Sequence, residues 1–240
     1  MLFFFKKKPV EIIAFTGSDY TFAHEFSPIV PARDYLPEWF KKVPSSKFSW
    51  ETLSKTNTVK SCPGIINSLI SGYIMPAWSD LAFKYDSESF RYQYSDNISK
   101  FDYHPEHQAP GFYDEYWHFK MTSPWIIKTP VRLQYSMPFY SWPSPFPIVM
   151  PPGIIPPIGG FASVNVFLFC KKEKEIQQQL IKQGIPLLHI LPITDQEVNF
   201  RCELLSTEEM KRVKNVVGTN NHFTSRGLRN FFYDKFKRKS

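Results

Sequence analysis

The densest grouping of metal-ligand side chains is His104-Pro105-Glu106-His107-Gln108, two imidazoles and a carboxylate within five residues. With Asp102, and with His118 or His189, they would supply a two-histidine, one-carboxylate set with open positions. Non-haem Fe(II) oxygenases, the 2-oxoglutarate type among them, hold their metal this way on a double-stranded β-helix. The spacing is not His-x-Asp, and Pro105 removes a backbone donor from any strand that would present the pair. The plainer reading of the same residues is a polar loop whose imidazoles bond to backbone.

A second grouping is aromatic. Tyr135, Met137, Phe139, Tyr140, Trp142 and Phe146 fall in one proline-rich stretch ending at Pro147. Rigid aromatics suit a contact surface because they lose little rotamer freedom on binding. They also suit a core covered by a long ordered loop, and the stretch alone leaves both open.

A third lies at the end of the chain. Arg226, Arg229, Lys235, Lys237, Arg238 and Lys239 interleave with Phe231, Phe232, Tyr233 and Phe236. Cations with aromatics bind nucleic acid through phosphates and base stacking. They also dock amphipathic helices on a partner or a membrane surface. A tail packed by its aromatics, with its charges in water, is the bland alternative.

Cys62 precedes a helix start at Pro63, where a thiol pKa falls, but no histidine or acid is assignable to it. No nucleophile elbow surrounds any serine, and no glycine-rich phosphate loop occurs.

The elements that would position these groups are mostly strands. Val10 to Phe15 is β-branched and apolar, and Phe90 to Tyr94 alternates as a half-buried strand does. Trp125-Ile126-Ile127, Val131 to Tyr135, Ser163 to Phe169 and Leu187 to Leu191 read as further strands. Tyr73 to Tyr85 reads as one strand broken at Pro76. Pro37 suits the first turn of a short helix carrying Trp39 and Phe40. Pro63 begins a helix over about 63–71 whose apolar stripe is Ile65, Ile66, Leu69 and Ile70, and Gly72 suits the left-handed residue after it. Glu173 to Gln183 reads as a polar connection with a helical turn or two. Ser206 and Glu209 form a capping box for a helix stopping at Gly218, and a second helix spans Phe223 to Ser240.

Composition sets the bounds. The 240 residues are 42% hydrophobic and 17% aromatic, enough apolar surface to exclude a disordered chain. With 21 Pro against 10 Gly, short strands and ordered turns fit better than a helical bundle. Three scattered cysteines argue for a reducing compartment rather than a disulfide framework. The opening Met1 to Lys8 places apolar residues before charges, the wrong order for a secretory signal. No stretch approaches the roughly 18 apolar residues of a membrane helix. The net charge of +7 suits an acidic partner and equally an ordinary solubility charge.

Several phrases carry a resemblance. They are Lys60-Ser61-Cys62-Pro63-Gly64, Gly72 to Asp80, His104 to Gln108, Lys120 to Pro130, Met137-Pro138-Phe139-Tyr140, Pro152-Gly153-Ile154-Ile155 and Gly184 to Leu188. In this order they resemble a family of uncharacterised proteins of marine T4-like phages with distant bacterial relatives, over about residues 58–201. The resemblance implies a viral origin and a β-rich fold, and transfers no catalytic residue. The family's pattern often has an acidic residue after Gly-Ile-Ile, where this chain has Pro156-Pro157-Ile158-Gly159-Gly160. The order Pro152-Gly153-Ile154-Ile155, an Asn165-bearing strand and Gly184 to Leu188 is also similar to the closing strands of trimeric dUTPases, without their Asp and Gln, and a cupin or jelly-roll sandwich would give similar local patterns.

The expectation is a mainly β single domain over residues 1–205, a sandwich or small barrel of the jelly-roll, cupin-like or dUTPase-like kind, with a helical basic tail over 206–240. The leading function is a phage-encoded, non-catalytic binding or structural-assembly protein. It acts in the host cytoplasm or virion, as a homo-oligomer or with a virion partner. An Fe(II) oxygenase and a nucleotide- or nucleic-acid-binding protein are the alternatives.

Overall fold

In the computed structural model the described residues are 8–103, 114–141, 148–157 and 160–217. Strands dominate, as the alternating segments require. In chain order they are β1 (Val10–Gly17), β2 (Val30–Pro31), β3 (Ser46–Ser49), β4 (Ser54–Asn57), β5 (Tyr73–Pro76), β6 (Leu81–Tyr85), β7 (Phe90–Tyr94) and β8 (Phe101–Tyr103). Then come β9 (Tyr116–Lys128), β10 (Leu133–Ser136), β11 (Ile148–Val149), β12 (Gly153–Ile155), β13 (Phe161–Lys171), β14 (Gln177–Ile181), β15 (Pro186–Pro192) and β16 (Val198–Leu205). The helices are α1 (Thr21–Phe26), α2 (Glu38–Lys42), α3 (Pro63–Ile70) and α4 over 207–217.

One sheet runs β11-β13-β9-β1-β16, with β8 also against β9. A second runs β12-β10-β15-β5-β2, a third is β14-β6-β7, and β3-β4 is a separate hairpin. The fold is thus mainly β and consistent with a sandwich or small barrel. Val10, Ile12 and Ala14 of β1, Val164, Val166 and Leu168 of β13, and Leu188 and Ile190 of β15 all join one continuous core. That core lies between the faces these period-two patterns make apolar.

Proline is placed where it does least harm. Pro124 sits inside β9, in the interval where the β9–β13 register shifts between Ser163 and Asn165. A bulge needs no donor there. Pro76 and Pro186 are directly paired at the ends of β5 and β15. Beyond them the same two chain segments continue as β6 and β14, with Leu81 facing Ile181. Four residues lie between the matched pairs on each side, so β5–β6 and β14–β15 form one antiparallel ribbon bent in the middle. Trp78 fills the bend at 1% exposure, with its Nε1–H donating to Ser99 Oγ at 2.9 Å.

Three expectations change. The segment 173–183 contains strand β14 instead of a helical turn, because Gln177 to Ile181 pairs residue for residue with Tyr85 to Leu81. Ile70 is 41% exposed, so the buried stripe of α3 narrows to Leu69 with Ile65 and Ile66 half-buried. Tyr135 packs against the core over Gly153, its partner across β10–β12, where an added Cβ would overlap the ring.

The capping box forms as the sequence requires. The Ser206 backbone N–H donates to Glu209 Oε2 at 3.0 Å and the Glu209 N–H to Ser206 Oγ at 3.3 Å. Met210, 4% exposed, docks on Gly17, so α4 packs against the end of β1.

Candidate functional site

The groove with the best-held aromatic walls lies on the outer face of the β12-β10-β15-β5-β2 sheet. Its floor is set by register. Ser136 of β10 faces His189 of β15, His189 faces Ile74 of β5, and Ile74 faces Val30 of β2. Leu188 and Ile190, the neighbours of His189, belong to the core, so His189 points away from it. Leu69 of α3, together with Ala32 and Tyr35 in the 3-10 turn Ala32–Tyr35, lines the space above this row.

The far wall is α2. Pro37 stands at its N-cap, and consecutive positions send Phe40 inward and Trp39 outward. The Trp39 indole N–H donates to the Tyr140 carbonyl at 2.9 Å, and the two rings lie 6.1 Å apart. Lys60 fastens α2 from behind, with Nζ 5.7 Å from the Phe40 ring centre and 3.0 Å from the Lys41 carbonyl it donates to.

Two connected hollows result. A cavity of about 530 Å³ is lined by Tyr35, Leu36, Pro37, Trp39, Tyr140 and Pro186, with Asp34, Glu38 and Lys41 also in its lining. A narrower one of about 90 Å³ shares Tyr35, Tyr140 and Ser141 and reaches His189. The larger is within the usual range for a small-ligand or side-chain pocket, and its lining is mainly apolar.

His189 is 7% exposed, and its Nε2 lies 2.6 Å from the Ser71 carbonyl. A carbonyl only accepts, so Nε2 carries the proton and a neutral ring keeps its lone pair on Nδ1. Burial raises the Tyr35 hydroxyl pKa, so it remains a neutral donor at physiological pH. Ser136 faces His189 across the β10–β15 pairing, and the partner of the His189 ring is the Ser71 carbonyl. The groove can bind an apolar or aromatic group and offer it polar atoms at one end.

The other predicted residues are dispersed. His118 of β9 is 5% exposed, edge-on to its cross-strand partner Phe169 at 4.8 Å, on the face of its sheet away from the core. His118 and His189 therefore point outward from different sheets and do not converge. Asp102 pairs with Lys120 at 3.6 Å. Among the described residues no group of three or more His, Cys, Asp and Glu could hold a metal. His104, Glu106, His107, Trp142 and Phe146 lie outside the described residues, as do Arg226, Arg229, Phe232, Lys235, Lys237 and Arg238. Phe139 is described in its backbone turn only.

Of the aromatic stretch, Tyr140 lines the groove at 37% exposure, whereas Tyr135 serves the core. Trp39 and Tyr35 were the residues missed. Their signal was an aromatic pair around Pro37, but nothing local joined it to Tyr140, 101 residues away from Trp39. Cys62 is exposed at the N-cap of α3. Burial pushes Cys170 to about 12 and Cys202 to about 11, which leaves both as thiols.

A second concavity of about 430 Å³ lies on the three-stranded sheet, where Lys84 directly faces Arg91 beside Gln178. Its lining holds no buried polar group to fix a ligand. No helix among the described residues is long and apolar enough to cross a membrane. Compared with protein-family models, curated proteins and solved structures, the chain matches none of them.

Proposed function

We propose that this chain is a phage-encoded, non-catalytic binding protein of the structural-assembly kind, working in the host cytoplasm or in the virion. The groove between α2 and the Ser136–Ser141 segment takes an apolar or aromatic side chain of a protein partner. The observation that carries this reading is Trp39. It is 41% exposed, yet its indole N–H is anchored to the Tyr140 carbonyl. An exposed large aromatic held in one orientation costs little further entropy on binding, which is the character of an interface hot spot. The basic residues from Arg226 to Arg238 would add long-range attraction to an acidic partner surface.

The test is co-sedimentation of the chain with washed particles of the virus that encodes it. Wild type should be recovered with particles. Trp39→Ala should lose at least about 2 kcal/mol of binding, roughly thirtyfold, while keeping its circular dichroism and melting temperature. Absence of the wild-type chain from washed particles, or equal recovery of wild type and variant, would sink the reading.

A further inference from the structure

Among the described residues no strand pairs with the outer edge of β16, which ends the β11-β13-β9-β1-β16 sheet. Strand β16 follows β1 in parallel, without interruption, from Val10↔Val198 to Gly17↔Leu205. At eight residues it is the longest strand ending any sheet path among the described residues; the others have two to five. Such edges are usually blunted by proline, charged side chains, a bulge or a covering helix; β16 has no proline, lysine or bulge, its charges Arg201 and Glu203 stand on the outer face, and α1 packs against it.

Hydrogen-bond parity shows which groups are open. The Val10 N–H donates to the Glu197 carbonyl. In a parallel ladder, Asn199, Arg201, Glu203 and Leu205 therefore turn their backbone groups to β1. Those of Val198, Phe200, Cys202 and Leu204 face the free edge, and no backbone bond from a described segment reaches them.

Side chains choose the register. Arg201 and Glu203 stand on the outer face, linked Nε to Oε1 at 2.6 Å, and Arg201 also holds Glu11 at 2.9 Å. In an antiparallel pair of two β16 strands centred on Cys202, each Arg201 lies directly opposite the other copy's Glu203. The four charges then alternate around a square. Centring on Arg201 would set Arg201 against itself, and centring on Glu203 would oppose two carboxylates. Directly opposed like charges destabilise a strand pair. The favoured register also places Leu204, 42% exposed, against the other copy's half-buried Phe200.

We infer that β16 is a self-association edge, pairing antiparallel with β16 of a second copy about a two-fold axis at Cys202. The sheet then continues from one protomer into the next, and the longest terminal strand is sealed against indiscriminate pairing. The groove at Trp39 takes no part, so this inference stands apart from the proposed partner binding.

Solution mass of the full chain by light scattering over a dilution series is the test. Wild type should be a dimer that dissociates on dilution and with added salt. Arg201→Glu and Glu203→Arg each turn two attractions into repulsions and should weaken dimerisation by about tenfold or more. The double variant R201E/E203R rebuilds the square with reversed polarity and should restore the wild-type mass profile. Leu204→Asp, at a side chain 42% exposed in the protomer, should give a folded monomer and covers the case in which R201E fails to fold. A wild-type monomer at every concentration, or a dimer indifferent to Leu204→Asp and unrescued by the charge swap, overturns the inference. Trp39→Ala should remain dimeric, which separates failure here from failure of the groove.

Discussion

Gly72 shows how much can rest on one missing side chain. It follows α3 with φ of 72°, a conformation in which a Cβ crowds its own backbone. A Cβ there would also run into the Ile190 carbonyl and the Leu191 side chain. Both costs fall beside Ser71, whose carbonyl orients His189. Gly72→Ala should therefore lose about 3 kcal/mol in chemical denaturation, the sum of left-handed strain and overpacking. A loss under about 1 kcal/mol would show that the turn relaxes freely. The same scale explains why Trp39 stands out: its one polar atom is committed to the Tyr140 carbonyl while the side chain stays 41% exposed.

Among the elements, the β6–β7 hairpin has a titrating anchor in its turn. Asp86 accepts from the backbone N–H of Glu88 at 2.8 Å and of Ser89 at 2.7 Å, and from the Ser89 hydroxyl at 3.1 Å. These bonds favour the charged form and hold the carboxyl below its ordinary range. A folded pKa below the unfolded one gives stability that is complete above about pH 4 and drains away as pH falls through the folded value. Asp86→Asn keeps an acceptor but cannot titrate. Its melting temperature should fall less steeply than wild type below about pH 4, in thermal scans across pH. Parallel curves for the two proteins would remove Asp86 as a source of acid sensitivity. Strand β14 teaches a different point about elements. Gln177-Gln178-Gln179 has little intrinsic β preference, and the strand exists because β6 supplies a ladder edge in register.

In the whole molecule, the sheet face on which a side chain stands decides which groups can meet. His118 faces out from the β9 sheet and His189 from the β15 sheet, with one continuous core belonging to both. No single ion can bridge them. Elemental analysis of wild type, His118→Ala and His189→Ala should give the same metal content in all three. A matched loss in both variants would place the two imidazoles on one ion and contradict this packing. The bent ribbon of β5–β6 with β14–β15 is another whole-molecule feature, since it carries one register past Trp78 and joins the second sheet to the third.

Much of the fold was legible because its signals are local. Alternation along Ser163 to Phe169 assigns β13, proline and glycine bracket α3, and Ser206 with Glu209 starts α4. Each needs only the geometry of neighbouring residues. The mainly β class follows from the sum of such segments. The groove was not legible in this way. It needs Tyr35 and Trp39 from one end of the domain, Tyr140 from its middle and His189 from a strand near its end. Within the stretch Tyr135 to Pro147, it takes the tertiary structure to put the Tyr135 ring against the core and Tyr140 at the groove. Sequence by itself determined strands, caps and breaks, because backbone sterics and side-chain periodicity act over a few residues. Tertiary structure alone decided which distant side chains share a face, because long-range strand pairing fixes register and only register brings them together.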